Sequence, residues 1–265
     1  MKAITHEFSG WQRGKAPVIV AEQPVGAISL AWLADKENQE QLLPAMIALS
    51  GERRQAALTV VHYAVYAVTN ILIAPFVFDR CVLTLAPDQL GVVLDETSNV
   101  NALWVGQVEL TEPEQPLAQL GALAMQLLAP VAVVARQLGK VSERAIYNIT
   151  LDALAFGCRR LERASGNIPS AGWIEELLLA TGHQAYQPAR PLLAYPDAGP
   201  AVTLYVRRTC CVLHKTPGPH ACPTCPQYPD DATRLQKIDE WLAAMPDDDF
   251  RQVTGRGRMA YGVGS

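Results

Sequence analysis

The sequence has no long run of Lys or Arg, and only 18 % of its residues are charged. A nucleic-acid surface is built from clustered basic charge, and the net charge here is −4, so that class of partner is set aside. There is no Gly-rich phosphate loop, no His-Glu-x-x-His and no nucleophile elbow. Flavin and nicotinamide fingerprints are absent too. A chain of this kind that moves electrons must receive them from another protein. Met1 to Val25 lacks a charged start followed by an apolar run and a small-residue cleavage site. No signal peptide is therefore expected, and the expected location is the cytoplasm, where thiols stay reduced. No internal repeat is evident.

What is present is apolar material. Hydrophobic residues make up 49 % of 265, enough for one large domain or two modest ones and too much for general disorder. Two stretches carry no Asp, Glu, Lys or Arg, from Gln55 to Phe78 and from Gln115 to Ala135. Each reaches the roughly 20 residues that span a bilayer as a helix. Polar groups interrupt both: His62, Asn70 and Pro75 in the first, Gln119, Gln126 and Pro130 in the second. Such groups are costly in lipid, so the expectation is buried helices of a soluble core, with peripheral contact at the inner membrane left open.

The apolar periodicity predicts helices over 27–50, 52–76, 117–138, 142–164 and 173–180. Ser50-Gly51, Gly139 and Thr181-Gly182 are the expected stops, and Pro75 is expected to kink or end the second helix. The polar residues Thr59, His62, Tyr63, Tyr66 and Asn70 recur along it at steps of one to four. A short element is expected within 79–87. Gly91–Asp95 and Ala102–Val108 read as strands of a β-hairpin around a turn-rich link, with 112–115 as a linker. Residues 187–199 read as a passage, Val202–Val206 as a strand, and 231–245 as a last amphipathic helix before a tail. The fold class expected is α+β: a predominantly helical core with a small antiparallel β-hairpin or sheet and a C-terminal cysteine-rich cluster loop. Three parts follow: residues 1–200 as the core, 201–228 as the cluster segment, and 229–265 as a closing helix and tail.

Cys210, Cys211, Cys222 and Cys225 lie within sixteen residues, as Cys-Cys-x10-Cys-x2-Cys. In a reducing compartment four clustered thiols point to metal rather than disulfides. Structural zinc sites usually take their first two cysteines two to four residues apart, and here only Cys222-Pro-Thr-Cys225 has that spacing. A [2Fe–2S] cluster needs sulfurs on two metals: Cys222 and Cys225 are spaced to share one iron, Cys210 and Cys211 the other. Neighbours in a strand point to opposite faces, so the adjacent pair must leave the strand near Thr209. Pro217, Gly218 and Pro219 would turn the chain back. Arg207 and Arg208 stand immediately upstream, where cations favour the more negative, reduced state of a cluster. His214 and His220 read as loop residues rather than ligands, and Cys81 and Cys158 as core. Trp104, Trp173 and Tyr205 are candidate aromatic walls whose apolar settings favour core packing. Beyond the four cysteines no catalytic residue is expected. The alternative is a non-redox binding protein with a structural zinc at the same four residues.

At these residues the chain resembles the FhuF-type ferric-siderophore reductases. Their C-terminal Cys-Cys-x10-Cys-x2-Cys binds a [2Fe–2S] cluster, and Val206-Arg-Arg-Thr-Cys-Cys211 is similar to the family's approach to it. In the first two hundred residues the likeness is looser, resting on a helical core with Pro75, a hairpin ending in Trp104 and a long helix near Leu128-Ala-Pro130. This chain also continues for about forty residues beyond Cys225, where some members stop. The resemblance implies one-electron reduction of Fe(III) held in a siderophore, of hydroxamate type, with a ferredoxin or flavoprotein reductase as external electron donor. The helical core also resembles part of the aerobactin-synthetase family, but those proteins need an ATP site and none is seen here.

Overall fold

The computed structural model describes residues 18–20, 23–79, 82–96, 100–164, 172–182, 190–192, 204–206, 226, 228, 230–234 and 236. The architecture is α+β with helix predominating, as expected.

The predicted helix over 27–50 is three elements. Strand β2 (Ile28–Ser29) follows β1 (Val18–Val20), then come α1 (Leu30–Leu33) and α2 (Lys36–Ser50). Two caps explain the break. The Ser29 hydroxyl accepts from the Trp32 amide at 3.0 Å and starts α1, while Asp35 Oδ1 accepts from the Asn38 amide at 2.9 Å and starts α2. Gly51 ends α2 with φ +72°, its amide donating to the Ile47 carbonyl at 2.7 Å.

The second helix fills its predicted span but changes register. It runs as α3 (Arg53–Ala67), a π-helical turn (Val68–Ile73) and α4 (Ala74–Asp79). Pro75 has no N–H to give, and its ring would press on the carbonyl four residues back. The wider turn relieves this: the Ala74 amide reaches the Thr69 carbonyl, five residues back. Just at the α-to-π junction, Asn70 Nδ2 donates to the Tyr66 carbonyl at 2.8 Å. All six residues of the π turn are buried.

Strand β3 (Val82–Thr84) supplies the short element expected within 79–87. The hairpin is present as β4 (Leu90–Leu94) and β5 (Val100–Val105), antiparallel with a bulge at Val93/Leu94. Its second strand stops at Val105 rather than Val108, because Gly106 turns toward the Gln89 carbonyl at 2.8 Å. Residues 109–111 then form β6, which pairs antiparallel with β3. β2 adds antiparallel to β4, and β1 adds parallel to β5, giving the order β1-β5-β4-β2.

Helices α5 (Pro116–Gly139) and α6 (Glu143–Ala164) form a tight antiparallel hairpin, followed by α7 (Gly172–Ala180). Gly139 is the last residue of α5 and not its left-handed cap. That conformation falls on Lys140, at φ +51°. The reason is packing. α3 and α5 form the most extensive helix pair, and a methyl at Gly139 would lie 2.7 Å from Ala57 Cβ. The Val141 amide closes the turn on the Arg136 carbonyl at 3.0 Å, and Ser142 Oγ starts α6 by accepting from the Ala145 amide at 3.3 Å. Glycine likewise brings α7 onto α5: a methyl at Gly121 would stand 2.6 Å from Ala180 Cβ.

The apolar runs 53–77 and 116–139 are both long and apolar enough to cross a membrane. In the most apolar window of each, 89 % is buried in the first and 44 % in the second. α3 with its π turn is therefore the centre of the protein core, whereas α5 turns one face outward.

Candidate metal centre

Strands β7 (Arg190–Leu192) and β8 (Leu204–Val206) pair antiparallel, Arg190 with Val206 and Leu192 with Leu204. β8 falls inside the strand predicted over 202–206. β7 lies in what read as a passage, where its proline obscured it: Pro191 cannot donate to a ladder and so depresses any strand reading. The hairpin delivers the chain to Arg207, the residue after β8. Arg207, Arg208, Cys210, Cys211, Cys222 and Cys225 all lie outside the described residues, as do His214, His220 and Cys81. How the ligands approach one another is thus a matter of sequence, not of described geometry.

On the far side of the cysteines the chain is described again in part. Asp230 caps a helical start at Asp231–Arg234, its Oδ1 accepting from the Thr233 amide at 2.7 Å. Hydrogen bonds from the Thr233 amide and hydroxyl hold this carboxyl below its usual range. Arg234 is buried. Its guanidinium pairs with Asp231 and lies over the Tyr228 ring at 5.9 Å. This compact turn begins three residues after Cys225, and its helical start at Asp231 is where the last amphipathic helix, 231–245, was expected to begin; the buried Arg234 was not singled out. The spacing Asp230-x-x-Thr233 ahead of an amphipathic run was the legible cue.

The donor set fits an iron–sulfur cluster chemically. From Ala198 to Pro229 the sequence contains no Asp or Glu, while Arg207, Arg208 and Lys215 bring positive charge. Four soft thiolates with no hard carboxylate among them suit iron–sulfur or zinc and exclude magnesium or calcium. Positive surroundings favour an anionic cluster. Among the described residues no group of three or more His, Cys, Asp or Glu is placed to hold a metal.

The chain matches no protein-family model, and no curated protein matches it.

The remaining sequence candidates are placed as follows. Cys158 is buried in α6, in the core as expected. Trp173 packs on the core with its ring tilted against Phe76, centroids 6.3 Å apart. Trp104 is buried on β5, as its apolar setting led one to expect, although it is not part of the main core cluster. For Tyr205 only the strand pairing with Pro191 is described. The polar residues of the second helix do not form an acid–base set. Thr59, His62 and Tyr66 are half-buried, whereas Tyr63, Thr69 and Asn70 are buried. The Tyr63 hydroxyl donates to Met46 Sδ at 3.4 Å. Burial, and then the negative charge of Asp95, push its pKa up to about 12, so it is a neutral phenol at ordinary pH.

A further polar residue was not legible in sequence. Gln39 is fully buried, and its Nε2 donates to the Leu33 carbonyl and, at 3.2 Å, to the Val131 carbonyl. It ties α1 and α2 to α5. Arg53 ties the start of α3 to the other end of α5, Nε donating to the Leu138 carbonyl at 2.8 Å.

Proposed function

We propose that the chain is a ferric-siderophore reductase of the FhuF type. The observation that carries the reading is Cys210-Cys211-x10-Cys222-x2-Cys225. These four thiolates would hold a [2Fe–2S] cluster, which supplies one-electron transfer when bound. Arg207 and Arg208, next to the first pair, would favour its reduced state electrostatically. The substrate is Fe(III) chelated by hard oxygen donors such as hydroxamates. One electron converts it to Fe(II), which those oxygens hold less tightly, so iron leaves the chelate. The sequence has no flavin or nicotinamide fingerprint, so the electron comes from a ferredoxin or flavoprotein reductase. The setting is cytoplasmic, with peripheral contact at the inner membrane.

The test uses the whole protein, reduced with dithionite, freed of reductant and mixed with a ferric trihydroxamate. Re-oxidation of the protein with stoichiometric Fe(II) trapped by a colorimetric chelator is expected. A protein that carries zinc and transfers no electron would replace this reading with a binding module built on the same four cysteines.

A further inference from the structure

Helix α5 is an apolar element that the core covers only in part. In its most apolar window 44 % is buried, against 89 % in the corresponding window of the helix that starts at Arg53. The uncovered residues lie on one side. Ala118, Ala122 and Val133 are exposed, Met125 and Ala129 half-buried, and steps of three and four residues keep all five on one face. Val133 and, at 73 %, Leu179 of α7 are two of the three large hydrophobics exposed among the described residues. Leu179 adjoins Ala180, which packs on Gly121 of α5. Charge is graded along the helix rather than across it. Glu112 and Glu114 precede α5 and are exposed, as are Glu175 and Glu176 of α7. No Lys or Arg occurs between Arg80 and Arg136. At the far end stand Arg136, Lys140 and Arg53, whose Nε reaches the Leu138 carbonyl. Glu143 pairs with Arg136 at 3.0 Å, which leaves that end with excess positive charge. No carboxylate lies between Glu114 and Glu143.

We propose that this face of α5 pairs antiparallel with the same face of a second copy of the chain. The opposed charges select the occupant. A two-fold axis through the middle of α5 sets the acidic start of each helix against the basic end of the other. Charge also sets the register. With Glu114 opposite Lys140 of the second copy, Met125 lies opposite Ala129 and Val133 beside Ala122, so apolar residues meet apolar ones. Gln126 and its copy then fall about 3 Å apart along the axis, within reach of an amide hydrogen bond between them. The alanines let the two helix axes approach to about 8 Å. A parallel pair would oppose like charges at both ends, and an anionic lipid surface would repel the four glutamates. The inner-membrane contact proposed above then uses another surface. The inference does not rest on the iron–sulfur reading.

Sedimentation velocity of the full chain across micromolar concentrations tests this. A dimer is expected that weakens as salt is raised. Glu114→Lys and Lys140→Glu should each weaken it about tenfold, since each change acts twice across the two-fold axis. The double variant Glu114→Lys with Lys140→Glu should regain the wild-type association, which only an antiparallel self-pairing provides. Ala122→Glu, at an exposed position that folding does not need, should leave a monomer. A wild-type chain that stays monomeric would overturn the proposal. So would a dimer that none of these changes weakens, because another face would then hold it. Co-sedimentation of the monomer with vesicles containing phosphatidylserine, lost in Ala122→Glu, would assign the face to lipid instead and overturn it as well.

Discussion

Tyr63 couples one side chain to the stability of the core. Its phenol is buried against Met46, and its pKa is raised from 10.0 to about 12. Below pH 10 the group is neutral in both folded and unfolded chains, so it adds no slope. Between pH 10 and 12 the unfolded chain loses the proton first, and folding stability falls by about 2 kcal/mol. Denaturant titrations across that range should show the slope in the wild type and lose much of it in Tyr63→Phe. At the candidate metal centre, Cys210→Ser and Cys225→Ser are expected to abolish cluster and activity, while Cys81→Ser keeps both. Retained colour in the Cys225 variant would count against ligation by all four. Arg207→Ala or Arg208→Ala should keep the cluster and lower its reduction potential, read by redox titration, because a nearby cation stabilises added negative charge. The functional reading is made at the residue scale, on cysteines that lie outside the described residues. Four thiols at fixed spacing suggest a chemistry without any fold, whereas Gln39 looked like any surface glutamine of an amphipathic helix. Only the meeting of α1, α2 and α5 makes it a buried tie. Gln39→Leu leaves two carbonyls without that donor and should cost about 1–3 kcal/mol.

The helices were legible as elements because burial on one side leaves a 3.6-residue pattern and because caps have chemistry. Gly51 and Ser142 did what their residue types prescribe. Gly139 did not. It was read as a stop, but close contact with Ala57 claimed it, and the left-handed position passed to Lys140. This gives adjacent substitutions opposite signs. Gly139→Ala should destabilise by about 1–3 kcal/mol, since a fully buried Ala57 has nowhere to go. Lys140→Gly should stabilise by up to about 1 kcal/mol by removing the left-handed strain. Thermal melts of the two variants check both. The three-residue strands β1, β3, β6 and β7 left too little pattern to read. Only β3 had a counterpart, a short element of unstated type, and the parallel pairing of β1 with β5 joins segments more than eighty residues apart. The π turn was announced by Pro75 only as a disturbance. That the chain would widen instead of breaking depended on the surrounding core.

At the scale of the molecule, the fold class was readable from composition and periodicity, and the buried second helix shows why the membrane reading of such a stretch fails on length alone. The helix at 53–79 is apolar because neighbours cover nearly all of it. The one at 116–139 is apolar while half uncovered, with Arg136 its single charged residue, which makes peripheral association the part of the localisation reading that merits direct test. The proposed function rests on a sequence segment that follows a strand hairpin and precedes a capped helical start, with no Asp or Glu from 198 to 229 and with Arg207, Arg208 and Lys215 within it. The most direct test is the absorption spectrum of protein purified without oxygen, with iron and acid-labile sulfide counted. A red-brown protein with two irons and two sulfides per chain, bleached by dithionite, is the predicted result. A colourless protein with one zinc per chain would contradict the account.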